Sequence, residues 1–94
     1  MTGKLVLIAD DNRDAADTLG LVLGMSGYKV LLAYGGRQAL DLAERERPAA
    51  AVLDIGMPEL DGYQVAERIR ATDWGAGMLL IALTGWGEDS GPRS

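Results

Sequence analysis

The sequence contains neither cysteine nor histidine. The absence of cysteine excludes disulfides, thiolate metal sites and thiol nucleophiles, and it fits a reducing compartment. The absence of histidine excludes a histidine general base, a histidine metal ligand and a phosphohistidine on this chain. Any phosphoryl chemistry that the chain takes part in must therefore use its own carboxylates or hydroxyls.

Long apolar runs are also missing. The first apolar run, residues 5–9, is too short for the core of a signal peptide or for a membrane span. We therefore predict a cytoplasmic protein without membrane contact. The 9 basic residues are scattered and are outnumbered by 14 acidic ones, which gives a net charge of −5. Because no cationic patch is available to phosphates, direct nucleic-acid binding is not expected.

The composition that remains is that of one small globular domain, with 94 residues, 48% of them apolar and 24% charged. Short apolar runs alternate with segments of helical periodicity. Strands are predicted over residues 5–9, 28–33, 49–53 and 78–83, and helices over residues 13–25, between Gly36 and Pro48, and over residues 62–71. Asn12 and Asp61 are the predicted N-caps of the first and third helices. This alternation predicts right-handed βαβ units, an open parallel sheet and helices on both faces.

The first predicted helix has an apolar stripe that we expect to face the sheet. Its members are Ala15, Leu19, Val22 and Leu23. Helical periodicity places these side chains on one side of the helix, so they are the candidate contacts with the strands.

Acidic residues follow two of the predicted strands. Asp10 and Asp11 come at the carboxyl end of the first strand, and Asp54 comes at the carboxyl end of the third. In a sheet of order 2-1-3-4 these two strands flank the crevice in which α/β proteins form their sites. Three converging carboxylates repel one another unless a cation intervenes, and Mg²⁺ prefers such oxygen ligands. We therefore predict a Mg²⁺ site.

Asp54 is the candidate nucleophile of this cluster. It stands apart from the adjacent Asp10–Asp11 pair, so the pair can hold the metal while Asp54 attacks a phosphoryl group and forms an acyl phosphate. Thr84, after the fourth strand, offers a hydroxyl that could bond a phosphoryl oxygen on Asp54.

Three segments carry a family resemblance: residues 7–14 (LIADDNRD), 54–63 (DIGMPELDGY) and 82–87 (ALTGWG). Together they resemble a response-regulator receiver domain of two-component signalling, in the form attached to hybrid sensor kinases, over residues 4–87. The resemblance implies a flavodoxin-like receiver fold and a phosphoacceptor domain that is not an enzyme. It implies that a sensor histidine kinase or a phosphotransfer protein donates the phosphoryl group.

The resemblance also assigns roles to single residues. Asp54 is the phosphoacceptor, and Asp11 and Asp54 ligate Mg²⁺ directly. Asp10 assists through water, and the backbone carbonyl of Gly56 completes the protein ligands. Thr84 is the switch hydroxyl.

The sequence departs from the family pattern after the fourth strand. The family continues with a helix, a lysine-bearing fifth strand and a last helix, whereas no lysine follows Lys29 here. We therefore expect a partial receiver domain over residues 1–87, without the fifth strand and the last two helices, and a disordered tail over residues 88–94. The fourth strand would then be an apolar edge through which the chain could self-associate.

Two alternatives to phosphoacceptor signalling remain open at this point. A receiver without the lysine could fail to switch and act only as an interaction or dimerisation module. A Mg²⁺-dependent phosphohydrolase is the second alternative, but the Asp-x-Asp signature and the lysine that such enzymes need are both missing.

Overall fold

The computed structural model describes residues 3–83 of the chain. Four strands alternate with three helices in this part. Their bounds, in chain order, are β1 Leu5–Ala9, α1 Arg13–Met25, β2 Lys29–Ala33, α2 Gly36–Glu46, β3 Ala50–Asp54, α3 Gly62–Arg70 and β4 Leu79–Leu83. Each predicted element is present, and the ends differ from prediction by at most one or two residues.

All strand pairs in the described sheet are parallel, and the order is β2-β1-β3-β4. This confirms the predicted fold class and strand order. The register aligns the strand ends, because Ala9 of β1 faces both Ala33 of β2 and Leu53 of β3. The carboxyl ends of the two interior strands, β1 and β3, therefore meet at the same edge of the sheet.

Side chains of the strands alternate between two apolar layers. Leu7 and Leu53 point into the layer covered by α2 and α3, where Ile69 is fully buried. Ile8 and Val52 point to the opposite face, where α1 packs. No polar or charged residue is buried in the described part of the chain, so burial of apolar surface is the main stabilising term.

The inward face of α1 differs from the prediction. Ala16 is fully buried and Leu19 and Leu23 are half-buried, whereas Ala15 and Val22 are exposed. The predicted stripe was therefore wrong at two of its four positions. The reason is the docking of the helix on β1 and β2, which places residue 16 against the sheet and leaves residue 15 in solvent.

The predicted N-caps are confirmed. Asn12 Oδ1 accepts a hydrogen bond from the Ala15 amide at 3.1 Å. Asp61 and Gln64 form a reciprocal capping box, with distances of 2.9 and 3.0 Å. Both caps lie in loops that follow the carboxyl ends of β1 and β3, so they fix the chain on either side of the acidic crevice.

β4 lies at one edge of the sheet formed by residues 3–83. Two of its large apolar side chains are exposed, Leu79 at 58% and Ile81 at 43%. As to membranes, none of the helices described is both long and apolar enough to cross a bilayer.

Candidate functional site

Three acidic side chains meet at the carboxyl ends of β1 and β3. One carboxylate oxygen each from Asp10, Asp11 and Asp54 can be chosen so that all lie within 4.8 Å of one another. Asp10 and Asp54 are half-buried and Asp11 is exposed. Within residues 3–83, no lysine or arginine forms an ion pair with any of the three. The structure thus brings together the three acids that the sequence placed at these strand ends.

Short backbone bonds orient two of these carboxylates. Asp10 Oδ1 accepts from the amide of Asn12 at 2.9 Å, and Asp54 Oδ1 accepts from the amide of Gly56 at 3.0 Å. Each acid thereby closes an Asx-type turn with the residue two positions later. The amide of Asp10 in turn donates to Ala33 O of β2 at 3.0 Å. The acids are therefore placed by the ends of the strands and by their own turns.

The electrostatics of the cluster disfavour three negative charges. Burial raises the pKa of the Asp54 carboxyl, and hydrogen bonding to Asp10 together with its charge raises it further, while the Gly56 amide and Asp11 act in the opposite direction. The surroundings of Asp54 therefore destabilise its ionised form. A divalent cation among the oxygens would offset this destabilisation. Three carboxylates are a donor set that suits Mg²⁺.

The raised pKa of Asp54 predicts how Asp54→Asn changes the stability of the metal-free protein. Because the folded pKa lies above the ordinary 3.8, the contribution of Asp54 to stability is fully present below that value. It declines as the pH rises through the folded pKa. Asn cannot ionise, so Asp54→Asn should unfold at a higher temperature than the wild type at pH 7 with EDTA. Thermal unfolding followed by circular dichroism measures the difference, which should shrink toward zero below pH 3.8.

Asp41→Asn is the matched control for this experiment, because Asp41 is an exposed carboxylate on α2. It should leave the unfolding temperature nearly unchanged. Saturating Mg²⁺ should reduce the difference in unfolding temperature between Asp54→Asn and the wild type, since the cation stabilises the ionised carboxylate of the wild type. Equal unfolding temperatures of Asp54→Asn and the wild type at pH 7 would contradict the assigned destabilisation of the ionised carboxylate.

The loop between β3 and α3 is anchored against the sheet. Met57 and Leu60 are buried at 4% and 5% exposure. Gly62 opens α3 so close to β3 that an added Cβ would lie 2.8 Å from Asp54 O. A Cβ at Gly36 would collide with Leu60 O in the same way. These two glycines set the distance between the loop and its neighbours, and apolar periodicity gave no signal for either role.

Two predicted site features are not tested by these contacts. Thr84 lies outside the described residues, which end at Leu83 on β4. Gly56 is in place beside Asp54, but the contact that joins them uses its amide. The role of its carbonyl as a ligand stays a prediction.

A group of contacting side chains that no sequence pattern indicated lies at the carboxyl end of β2, the strand beside β1. Tyr34 follows β2 directly, its hydroxyl donates to Asp17 Oδ1 at 2.7 Å, and the Arg13 guanidinium lies 4.2 Å from the centre of its ring. The only hint in the sequence was the position of Tyr34, which comes at the carboxyl end of the strand beside β1.

Comparison with known proteins identifies the family. The chain matches the response regulator receiver domain over residues 6–92. It is 43% identical over 79 residues to the response regulator MprA of Mycolicibacterium vanbaalenii, a match that covers 84% of this chain and 33% of that protein. The chain thus spans about a third of the length of this relative.

Solved structures agree with this family assignment. One is the receiver domain of the sensor histidine kinase PA1611 from Pseudomonas aeruginosa PAO1, solved with magnesium coordinated in its active-site cleft. It matches with a TM-score of 0.81 and 36% identity, over 85% of this chain and 66% of that one. The chemotaxis protein CheY4 of Vibrio cholerae has a TM-score of 0.85 and 25% identity, over 97% of this chain and 73% of that one. With the family match, the fold and the sheet order in agreement, the chain belongs to the response regulator receiver domain family, the phosphoacceptor signalling domains of two-component systems.

Proposed function

We propose that this chain accepts a phosphoryl group on Asp54, donated by the phosphohistidine of a sensor histidine kinase or of a phosphotransfer protein. The observation that carries the proposal is the meeting of Asp54 with Asp10 and Asp11 within 4.8 Å. A carboxylate oxygen of Asp54 would attack phosphorus, the P–N bond to the donor imidazole would break, and an acyl phosphate would form. In this scheme the chain is a substrate of its kinase, with self-phosphorylation and autodephosphorylation as its only chemistry.

The same geometry supports a Mg²⁺ requirement. Asp11 and Asp54 are proposed as direct ligands, Asp10 as a ligand through water, and the Gly56 carbonyl as the remaining protein ligand. Bound there, Mg²⁺ would neutralise the phosphoryl oxygens that approach the acids. Attack requires the ionised form of Asp54, whose pKa burial raises. A cation would therefore also increase the fraction of Asp54 that can act as a nucleophile.

Thr84 is proposed to bond a phosphoryl oxygen on Asp54 through its hydroxyl. It follows Leu83, which faces Asp54 in the β3–β4 register. We further propose that residues 1–87 belong to the receiver domain, while the family match extends to residue 92. The cytoplasmic location stays a prediction from the sequence.

Incubation with acetyl phosphate tests the main proposal without a cognate kinase. In the presence of Mg²⁺, intact-mass spectrometry should show one added phosphoryl group, and hydroxylamine should remove it because acyl phosphates are labile to this nucleophile. Addition of EDTA should prevent the uptake. No added mass at saturating Mg²⁺, or a hydroxylamine-stable adduct, would be evidence against Asp54 as the acceptor.

A second candidate function is self-association through β4. Its five residues carry no charge, and its outer backbone groups have no strand partner within residues 3–83. Beside it a groove of about 430 Å³ runs over the α1 face of the sheet and includes Val6, Val52 and Ile81. An uncharged edge strand of this kind can pair with a second copy of itself about a twofold axis.

Ile81→Lys tests this candidate. If two copies pair through β4, the wild type should show a concentration-dependent increase in mass by sedimentation equilibrium, and Ile81→Lys should stay monomeric because the new charges would face each other. Val22→Lys is the matched control, since Val22 on α1 has a similar exposure of 47%, and it should associate like the wild type. A wild type that is monomeric at every concentration would rule the candidate out.

A further inference from the structure

Tyr34 follows β2, the strand beside β1, and both its backbone and its side chain have partners. Its amide donates to Gln38 Oε1 of α2 at 2.9 Å, and its hydroxyl donates to Asp17 Oδ1 of α1 at 2.7 Å. Its neighbour in sequence, Ala33, accepts the hydrogen bond from the Asp10 amide. Tyr34 is half-buried and packs against the apolar layer beneath α1. The ring is therefore held between α1 and the sheet, and the backbone that carries it is bonded to that of Asp10.

Arg13 rests on this ring. Its guanidinium carbon lies 4.2 Å from the ring centre, within the range of a cation–π contact. Arg13 is also the cation closest in sequence to the acids, two residues after Asp11. If this side chain left the ring, it would be the cation best placed in sequence to compete for the carboxylates of the cluster. In the structure it contacts the ring and forms no ion pair with the acids.

We propose that Tyr34 is a positioning residue that holds Arg13 away from Asp10, Asp11 and Asp54, so that the carboxylates stay available to a divalent cation. This inference rests on the proposed function, because it concerns the same cluster. Without the ring, Arg13 would be free to pair with the acids, and a cation would then have to displace it.

The bond to Asp17 supports this role. Asp17 lies four residues after Arg13 on α1, at a spacing that permits an Arg–Asp pair, but the two form no ion pair. Instead, the Tyr34 hydroxyl occupies an oxygen of Asp17. The hydrogen bond to Asp17 raises the pKa of Tyr34 above its ordinary 10.0, so the ring stays neutral under ordinary conditions. Tyr34 therefore contacts both residues: it bonds Asp17 through its hydroxyl and offers the guanidinium of Arg13 a ring face.

The test measures Mg²⁺ binding by isothermal titration calorimetry for four variants. Tyr34→Ala should raise the Kd for Mg²⁺ by about two- to fivefold, the factor that an exposed cation–π contact corresponds to. Tyr34→Phe keeps the ring and should bind Mg²⁺ nearly as the wild type does. The double variant Tyr34→Ala/Arg13→Ala should regain the wild-type Kd, because the competing cation is gone. Tyr28→Ala is the matched control, since Tyr28 comes just before β2 at the opposite end of that strand.

A second measurement does not depend on metal. In the wild type, the ring current of Tyr34 should shift the side-chain NMR signals of Arg13 upfield, and Tyr34→Ala should abolish that shift. Recovery of Mg²⁺ binding in the double variant separates competition from a general loss of structure, which removal of Arg13 could not repair. An unchanged Kd in Tyr34→Ala, or a double variant as weak as Tyr34→Ala, would overturn the inference and leave the proposed function standing. A wild type that binds no Mg²⁺ would overturn both.

Discussion

Replacing Asp54 by alanine should abolish the phosphate uptake that acetyl phosphate and Mg²⁺ produce in the wild type. The loss should be complete, because no histidine or cysteine is present in the chain to accept the group instead. Asp10 and Asp11 remain in the variant, but both lie across the cluster on the β1 side, where the proposal places them as metal ligands. Intact-mass spectrometry at several time points measures the effect.

Asp41→Ala is the control for this loss, since Asp41 is exposed on α2 and outside the cluster. It should take up phosphate like the wild type. Asp11→Ala separates metal binding from acceptance: uptake should slow and shift to higher Mg²⁺ concentrations, while Asp54 still carries the group. Uptake by Asp54→Ala at the wild-type rate would show that another residue is the acceptor.

Gly62→Ala should cause a large loss of stability for a change of one methyl group. The added Cβ would lie 2.8 Å from Asp54 O and 3.0 Å from Ile55 Cα. Both are backbone atoms that cannot rotate away, so α3 or the end of β3 must shift. Overpacking of this kind costs about 1–3 kcal/mol, and each 1 kcal/mol lowers the unfolding temperature of a domain this size by about 4–8 °C.

Gly24→Ala is the matched control for the glycine substitution. Gly24 is also helical, near the end of α1, but an added Cβ there would have no atom within 4 Å. This variant should be more stable than the wild type by about 0.4–1 kcal/mol, because alanine restricts the unfolded chain. Urea unfolding of both variants gives the free energies. A Gly62→Ala variant as stable as the wild type would mean that the approach of α3 to β3 can relax without cost.

The fold was predictable because its signals are local and redundant. Each strand is a short apolar run, and Asn12 and Asp61 cap their helices through their own side chains. The parallel sheet and its order then follow from the βαβ connections. The inward face of α1 was less predictable, since Ala15 and Ala16 are equally apolar and adjacent. Only the docking of the helix on β1 and β2 decides between them.

The meeting of the acids was predictable for a topological reason: parallel strands that are neighbours end at the same edge, so Asp10, Asp11 and Asp54 had to lie near one another. The surroundings of the cluster were not predictable in this way. The closeness of Gly62 to Asp54 depends on a distance between two backbones, and the contact between Arg13 and Tyr34 joins side chains from different elements. Neither of these contacts produces a periodic pattern in the sequence.

The placement of the acids at the ends of β1 and β3 also bears on how the cluster can come apart. These strands have a neighbour on both sides, so they are the segments least able to fray or open independently of the rest. The backbones that carry Asp54 and Asp10 cannot separate by a small local fluctuation, because that would mean parting the middle of the sheet. Loss of the cluster should thus coincide with loss of the fold.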